Sequence, residues 1–286
     1  MPSMKVIRRR FASVTTTKKI MKAMNMVAAA RLQKDKARLE AARPFFHESK
    51  RIMDDLKTHE DAMGNIFLKP REVKNTAYLI ITSDRGLCGN YNTNLAEKAL
   101  RHMEEIENEK ILAVGVKGYE YFKRRGKNVL HRFDDVLETA YYEDAERIGD
   151  YLSGLYSSGA VDEVYMAYTQ FESALTHVPQ IVKLLPIGSE PDIVYKIDRM
   201  IYDPDFSSYV DYVVPVYLNS SIYAALLESS ACEQSARMLS MDTAVNNASD
   251  IMGKLTRLYN RKRQTSITQE IIEIVSSTGI SKQRGD

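Results

Sequence analysis

A short polar turn, residues 83–89 with the sequence SDRGLCG, is the part of this chain that comes closest to a chemical motif. It follows an apolar run, residues 77–82, that is typical of a buried strand, and α/β folds bind ligands just beyond such strand ends. Cys88 could act there as a nucleophile at a helix N-terminus, and the glycines could let backbone N–H groups face an anion. The spacing matches neither G-x-G-x-x-G nor G-x-x-x-x-G-K-[ST]. We therefore favour a tight turn that packs a sheet onto a helix, and keep an enzyme that uses Cys88 as an alternative.

The other reactive residues do not form a metal-binding or acid–base pattern. The five histidines never stand at metal-ligand spacing from one another, and there is no C-x-x-C. Asp134, Asp135 and Glu138 cluster near a predicted loop, where carboxylates are more often solvated than catalytic. Cys88 and Cys232 lie in dissimilar contexts, which argues against a structural disulfide. We predict no catalytic residue, no metal and no cofactor, and hence a chain that is not itself an enzyme.

Alternating strands and helices must position the turn. The predicted strands are residues 77–82, 110–116, 128–133, 161–169 and 180–185, and the predicted helices are residues 93–107, 118–125 and 143–156. This alternation is typical of an α/β domain with a largely parallel sheet. We expect this Rossmann-like domain to span residues 76–190.

The end of the chain carries a heptad pattern. Seven residues follow one another at spacings of 3, 4, 3, 4, 3 and 4, and form the predicted seam: Met238, Met241, Val245, Ala248, Met252, Leu255 and Tyr259. Such a seam is typical of one strand of a coiled coil. At 1.5 Å per residue, roughly 60 residues of helix would reach about 90 Å. A helix of that length must stand out from its own domain as a shaft.

The beginning of the chain has a matching pattern. Apolar residues at the same spacing are Ala28, Leu32, Leu39, Ala42, Phe46, Met53 and Leu56, with Asp35 and Ser49 at two polar steps. Upstream, Ile20, Met24 and Val27 occupy an adjacent phase, which predicts that the stripe rotates around the helix, and Pro44 predicts a bend. About 50 residues would extend about 75 Å. We expect an antiparallel coiled coil of the N- and C-terminal helices, with the α/β domain inserted between them.

These patterns predict five segments. They are an N-terminal shaft helix (1–60), a linker (61–75), the α/β domain (76–190), a loop at the foot of the shaft (191–206) and a C-terminal shaft helix (207–286). We find no apolar run approaching the 18 residues that a membrane span needs, so we expect none.

Positive charge concentrates in the two terminal helices, although the net charge of the chain is only +2. Residues 1–40 hold eleven Lys and Arg against two acidic residues, and a second basic cluster lies at Lys254, Arg257, Arg261, Lys262 and Arg263. Two basic helices in a nearly neutral chain suggest that they meet and share an acidic partner. A basic coiled-coil protein that binds nucleic acid is the alternative.

The apolar seam of the C-terminal helix is interrupted near its end. The apolar series stops at Tyr259 and resumes out of phase at Ile267, Ile271 and Ile274, which leaves the polar stretch 260–266 (NRKRQTS) between them. We interpret this stretch as a region that a surrounding protein holds through charge-assisted hydrogen bonds from acidic loops.

Three stretches resemble the gamma subunit of F-type rotary ATP synthases: residues 13–32 (SVTTTKKIMKAMNMVAAARL), the turn 83–89, and residues 233–275, which include EQSARMLSM and NRKRQTSITQEIIEIV. The resemblance covers essentially the whole chain. It implies a central stalk whose coiled coil lies inside a hexamer of alternating alpha and beta subunits, while its foot sits on the membrane ring of c subunits and binds epsilon, with delta elsewhere in the complex. Rotation would change the three catalytic sites in turn. It also implies a peripheral membrane protein, on the cytoplasmic face of the bacterial cell membrane.

The resemblance assigns contacts residue by residue. Arg263 and Gln264, with the neighbouring Arg261, match the family's catch contacts with the beta subunit. Met24 matches the methionine that faces an acidic lever loop of beta, and the implied basic neighbours on that helix are Lys18, Lys19 and Lys22. Tyr202 falls in the segment that resembles the foot on the c-ring and epsilon.

Two departures from the family pattern are visible. The usual Gly-Gly-Leu-Asn after the cysteine is replaced by residues 89–92 (GNYN), which changes the detail of the turn. No cysteine pair is inserted in the α/β domain, unlike in plastid members, so we predict no thiol switch.

Overall fold

The computed structural model describes residues 3–57, 64–104, 106, 108–188 and 205–282, with the side chains in these ranges except those of Lys57 and of residues 276–282. Tyr202 and most of the predicted loop 191–206 lie outside the described residues. The chain divides into two compact units. We call Met1–Val27 with Leu239–Asp286 the terminal unit, and Ala28–Met238 the central unit.

Six helices and five strands follow one another in the described residues. In chain order they are α1 (Met4–Lys57), β1 (Thr76–Ile81), α2 (Tyr91–Met103), β2 (Glu109–Val114), α3 (Val116–Lys123), β3 (Val129–Phe133), α4 (Val136–Thr139), α5 (Tyr142–Ser157), β4 (Glu163–Phe171), β5 (His177–Leu185) and α6 (Phe206–Lys282). The predicted fold class, two long terminal helices with an inserted α/β domain, is confirmed.

The central unit contains one five-stranded sheet in the order β3-β2-β1-β4-β5. Strands β1 to β4 pair in parallel, and only β5 runs antiparallel, to β4. The short segment between β4 and β5 explains this exception, because a tight hairpin can join only antiparallel strands and parallel strands need a longer crossover. The prediction of a largely parallel sheet is confirmed.

The central strand β1 is buried on both faces, and its residues alternate between two hydrophobic cores. Tyr78 and Ile80 point to the side of α2 and α3, where they meet Leu95 and Phe122. Leu79 and its alternate neighbours point to the opposite core, which α1, α5 and α6 share. The continuous apolar run in the sequence therefore reflects a strand covered on both faces.

Within the central unit, α1 keeps the predicted stripe. The residues at 3/4 spacing from Ala28 to Leu56 are all buried or half-buried, including the two polar steps. Asp35 accepts a hydrogen bond from Ser230 Oγ of α6 at 2.8 Å, and Ser49 Oγ donates to the Phe45 carbonyl. Pro44 lies inside α1 on an exposed face, where water can bind the carbonyl that lost its helical partner.

Helix α6 supplies polar partners to the end of β4. Glu228 Oε2 accepts from the Phe171 N–H at 3.2 Å, and Ser235 Oγ donates to the Ala174 carbonyl at 2.6 Å. Cys232 Sγ lies 3.5 Å from the Thr169 carbonyl. These bonds give the backbone at the end of β4 polar partners on the buried face of α6.

By length and composition alone, α6 contains an 18-residue window apolar enough to cross a membrane, with a mean hydropathy of 1.2. This window meets the limit by its average composition and is not an uninterrupted apolar run, so it does not contradict the expectation that no apolar run approaches 18 residues. Since 61% of the window is buried inside the protein, packing against the sheet accounts for its apolar composition.

In the terminal unit, α1 and α6 pair antiparallel. The Arg8 guanidinium donates to Tyr259 Oη at 2.7 Å, and Thr15 Oγ1 lies 3.9 Å from Met252 Sδ. From Arg8 to Thr15, α1 advances by as many residues as α6 goes back from Tyr259 to Met252. One heptad on each helix therefore faces one heptad on the other, in opposite directions.

The predicted rotation of the α1 stripe in this unit was wrong. Ile20 and Val27 are each 56% exposed. The covered residues instead continue in one phase, with polar residues at two of the steps: Met4, Ile7, Phe11, Val14, Lys18, Met21 and Asn25. The apolar pattern misled because polar residues occupy two stripe positions while apolar residues lie outside the stripe.

Candidate functional site

The outer surface of the terminal unit is the candidate functional site. The six seam residues of this unit, from Met241 to Tyr259, are buried or half-buried, and Met241 and Ala248 are the most deeply covered. Met238, the last residue of the central unit, is also half-buried. Most of the residues between the seam residues are exposed. The helix pair thus closes along its seam and presents its other faces to the surroundings.

The seam does not stop at Tyr259. The half-buried series continues at the same spacing through Lys262 and Ser266, which are polar. The isoleucines beyond them are exposed, and Ile274 reaches 65%. The polar stretch 260–266 therefore continues the 3/4 spacing of the seam, but with polar residues at the covered positions.

The residues assigned to a partner by resemblance differ in exposure. Lys19, Lys22, Arg261, Arg263 and Gln264 are exposed, whereas Lys18 and Met24 are half-buried. Among the residues that the structure describes, none of these cations takes part in an ion pair. A surface with so many uncompensated positive charges favours an acidic partner.

Large apolar side chains share this surface. On α1, Ile20, Met26 and Val27 are more than half exposed. On α6 the exposed apolar residues are Ile251, Leu258, Ile267, Ile271, Ile272, Ile274 and Val275. Exposed apolar residues in such number mark a protein interface, because they gain free energy only when another surface covers them.

The turn 83–89 has no geometry for nucleophilic catalysis. Cys88 is 2% exposed, and burial raises the pKa of its thiol. Its sulfur lies 3.3 Å from Asn92 Nδ2, 3.8 Å from Ser83 Oγ and 3.9 Å from the Arg85 carbonyl. A nucleophilic cysteine needs a lowered pKa and a base. The alternative of an enzyme that uses Cys88 therefore finds no support.

Internal hydrogen bonds use two backbone donors at or beside the turn. The Ser83 N–H donates to Asn92 Oδ1 at 2.9 Å, and the Val116 N–H donates to Asp84 Oδ1 at 3.1 Å. Leu87 and Gly89 adopt positive φ, of 66° and 58°, which folds the turn back towards α2. These bonds make the turn a structural connection.

A buried ion pair on α6 holds this turn. Arg237 pairs with Glu233 at 2.5 Å, and its guanidinium also lies 3.4 Å from the Arg85 carbonyl and 3.3 Å from the Gly86 carbonyl. Burial raises the pKa of Glu233, although the Arg237 charge opposes that shift. Sequence reasoning missed this pair. Its signal was a glutamate and an arginine four residues apart within a helix of small and apolar residues.

Among the described residues, no group of three His, Cys, Asp or Glu side chains could hold a metal ion. Asp134, Asp135 and Glu138 do not form an acid–base site. Instead, Glu138 pairs with Arg31 of α1 at 3.0 Å and with Arg85 of the turn at 3.2 Å. The Arg31 hydrogen bond lowers the pKa of Glu138.

Comparison with known proteins identifies the family. A family model described as ATP synthase matches residues 3–279. The ATP synthase gamma chain of Alkaliphilus metalliredigens is 41% identical over 279 residues, which span 96% of each chain. This chain belongs to the ATP synthase gamma chain family. Another gamma chain, from Chlorobaculum tepidum, is 37% identical and covers 99% of this chain and all of the relative.

Solved structures agree with this membership. A chain in the central stalk and c-ring structure of Tetrahymena thermophila mitochondrial ATP synthase has a TM-score of 0.65 and 26% identity, and the match covers 79% of this chain and 99% of that chain. A chain of the Euglena gracilis mitochondrial ATP synthase has a TM-score of 0.71 over 99% of this chain and 96% of its own length. At 17% identity, the second match shows the fold alone.

Membership decides between the functions that the sequence left open. As an ATP synthase gamma chain, the protein is a non-catalytic subunit of a multisubunit enzyme. The nucleic-acid-binding alternative has no support among the gamma chain relatives.

Proposed function

We propose that this chain is the central rotor shaft of an F-type ATP synthase, which couples ion flow through the membrane c-ring to ATP synthesis and hydrolysis at the beta subunits. The observation that carries the proposal is the terminal unit, an antiparallel helix pair with a closed seam and an exposed basic and apolar exterior. Its relatives are gamma chains, and one structural neighbour comes from a central stalk with its c-ring.

The mechanism follows from the unequal faces of this helix pair. The α1 side exposes Ile20, Met26 and Val27 beside lysines, whereas the distal α6 side exposes arginines followed by isoleucines. Three equivalent catalytic sites arranged around such a pair would each meet different contacts. A shaft can shift the conformational equilibrium of a site only through differential contact, so each rotary position favours one conformation at each site.

Two groups of residues contact the beta subunit. Arg263, Gln264 and Arg261 form the catch on α6, and their exposure supports this role because charge-assisted hydrogen bonds need accessible donors. On α1, Lys19 and Lys22 reach acidic side chains of beta. Lys18 and Met24 are half-buried and contribute only part of their side chains to that surface.

The other end of the stalk binds the c-ring and epsilon through a foot that includes Tyr202, within an assembly that also contains alpha and delta. The c-ring in the Tetrahymena structural neighbour supports the first of these contacts. The protein is then a peripheral membrane protein on the cytoplasmic face of a bacterial membrane.

The test removes the catch from the assembled enzyme. We expect Arg263→Ala combined with Gln264→Ala to lower the rates of ATP synthesis and of ATP-driven ion pumping by about tenfold, the effect of losing about 1–2 kcal/mol of charged hydrogen bonds. The amount of assembled complex should not change, because both side chains are exposed. The matched control is Arg101→Ala, which removes an exposed arginine of α2. Unchanged coupling in the double variant would refute the catch assignment, and failure of the wild-type chain to assemble with alpha and beta subunits would refute the function.

A further inference from the structure

A continuous set of directional polar contacts joins the α/β domain to both long helices within the central unit. We call it the polar belt. Its members are Arg31 and Arg38 of α1, Arg85 and the Gly86 carbonyl of the turn, Glu138 with the Thr139 and Ala140 carbonyls at the end of α4, and Arg237 of α6. The assigned contacts with beta, the c-ring and epsilon use none of these residues.

On the α1 side, two arginines hold the segment around α4. Arg31 pairs with Glu138 at 3.0 Å, and Arg38 donates to the carbonyls of Thr139 at 2.7 Å and Ala140 at 2.6 Å. The last carbonyls of a helix have no helical donor, so Arg38 satisfies two acceptors that α4 leaves open. Ala140 adopts a φ of 45°, a conformation that turns the chain sharply at the point where Arg38 binds.

On the α6 side, the buried Arg237 binds the turn. Its guanidinium reaches the Arg85 and Gly86 carbonyls while Glu233 neutralises its charge. The Arg85 side chain then extends outward to Glu138, which Arg31 already holds. The contacts therefore run from α6 through the turn and the α4 segment to α1.

Directional contacts oppose small rotations more strongly than apolar contacts do. Apolar packing is non-directional, so a small rotation of the domain changes the buried apolar area little. An arginine bound to two fixed acceptors loses its geometry when the acceptors shift by about an ångström. The belt lies where the domain meets both helices, so it opposes rotation of the domain about them.

We infer that the polar belt fixes the angular position of the α/β domain on the two long helices, so that torque applied to the domain reaches the helices without slip. The inference rests on the proposed function as a rotor shaft. Arg31, Arg38 and Arg237 are in this sense positioning residues, since they set the angle at which other residues meet the catalytic subunits.

The experiment measures angular stiffness in the assembled complex. The alpha and beta subunits are immobilised, and a bead is attached to a cysteine introduced at the exposed Arg124 of the domain. The native Cys88 and Cys232 are buried and stay unlabelled. The variant is Arg31→Ala with Arg38→Ala, which removes three of the five belt contacts made to the helices.

If contacts of similar stiffness act in parallel, the variance of the bead angle during pauses should rise by at most about 2.5-fold, because two of five belt contacts remain, with ATP hydrolysis by the complex nearly unchanged. Lys98→Ala is the matched control, because Lys98 also donates to a backbone carbonyl of another element, that of Pro179, at 2.6 Å. It should leave the variance unchanged. Arg31→Lys with Arg38→Lys should recover part of the lost stiffness.

An unchanged variance in the double alanine variant, with the complex intact, would overturn the belt. A second variant, Arg237→Lys, tests the buried side, where it keeps the charge opposite Glu233 and loses the fork that spans two carbonyls. It should also widen the angular distribution, and an unchanged distribution would again count against the belt. If the bead on the wild-type complex never rotates with ATP, the proposed function fails instead.

Discussion

The contact between α5 and α6 offers the sharpest quantitative test of how the α/β domain is seated on the long helices. Gly149 of α5 faces α6, and a Cβ added there would lie 2.0 Å from Asn219 Oδ1 and 3.2 Å from Asn219 Cγ. Asn219 is itself only 8% exposed, so its side chain has little free space to move into. The two helices approach so closely because Gly149 carries no side chain.

The perturbation is Gly149→Ala, and the same helix supplies its control. A Cβ added at Gly154 would have no neighbouring atom within 4 Å. In a helix interior, Gly→Ala gains about 1 kcal/mol from backbone entropy, while overpacking a filled site costs about 1–3 kcal/mol. Gly154→Ala should therefore stabilise the chain by up to about 1 kcal/mol, and Gly149→Ala should be less stable than Gly154→Ala by about 1–3 kcal/mol.

The assay is urea unfolding of the full-length chain, followed by the helical signal in circular dichroism. A third variant isolates the clash. In an Asn219→Ala background, Gly149→Ala should lose its penalty and behave like Gly154→Ala, with a coupling energy of about 1–3 kcal/mol. If Gly149→Ala stabilises the wild-type chain as much as Gly154→Ala does, the close approach of α5 and α6 is not a constraint and the reasoning is wrong.

Two further predictions concern buried titratable groups. Burial raises the pKa of Asp35 above 3.8. Protonation of Asp35 therefore stabilises the folded chain, fully below pH 3.8, and this stabilisation is lost as the pH rises through the raised pKa. Asp35→Asn keeps an acceptor for Ser230 and should raise the urea midpoint at pH 7 while flattening its pH dependence; an unchanged pH profile would contradict this. Burial also raises the pKa of both Cys88 and Cys232, so a thiol reagent at pH 8 should label neither in the native chain and both in urea. Rapid labelling of Cys88 in the native chain would instead support the hypothesis of a reactive thiol at the turn.

Periodicity predicted most of the fold from the sequence. The five strands and the main helices lie within a few residues of their predicted positions, because alternation and 3/4 spacing record which faces are covered. The short helix α4 was missed, since four residues flanked by two positive-φ residues carry no periodic pattern. The α1 stripe in the terminal unit was misplaced for a related reason, because Lys18 and Asn25 occupy covered positions.

The candidate functional site, too, was only partly predictable from the sequence. The basic character of the terminal helices and the polar break after Tyr259 are visible in the sequence, whereas the half-buried positions of Lys262 and Ser266 are not. A residue type indicates what a side chain can do. Whether it is covered depends on the partner helix, which is distant in sequence.

The sequence by itself determined the family, the two long helices and the parallel sheet between them, because each is written in local spacing or in a distinctive motif. Only the tertiary structure decided the roles of the charged residues in the central unit. Arg31, Glu138, Arg85 and Arg237 come from four separate segments, and nothing in their local sequence shows that they meet. Their contacts exist because the fold brings distant backbone segments within hydrogen-bonding distance, which is a property of the packed chain and not of any one segment.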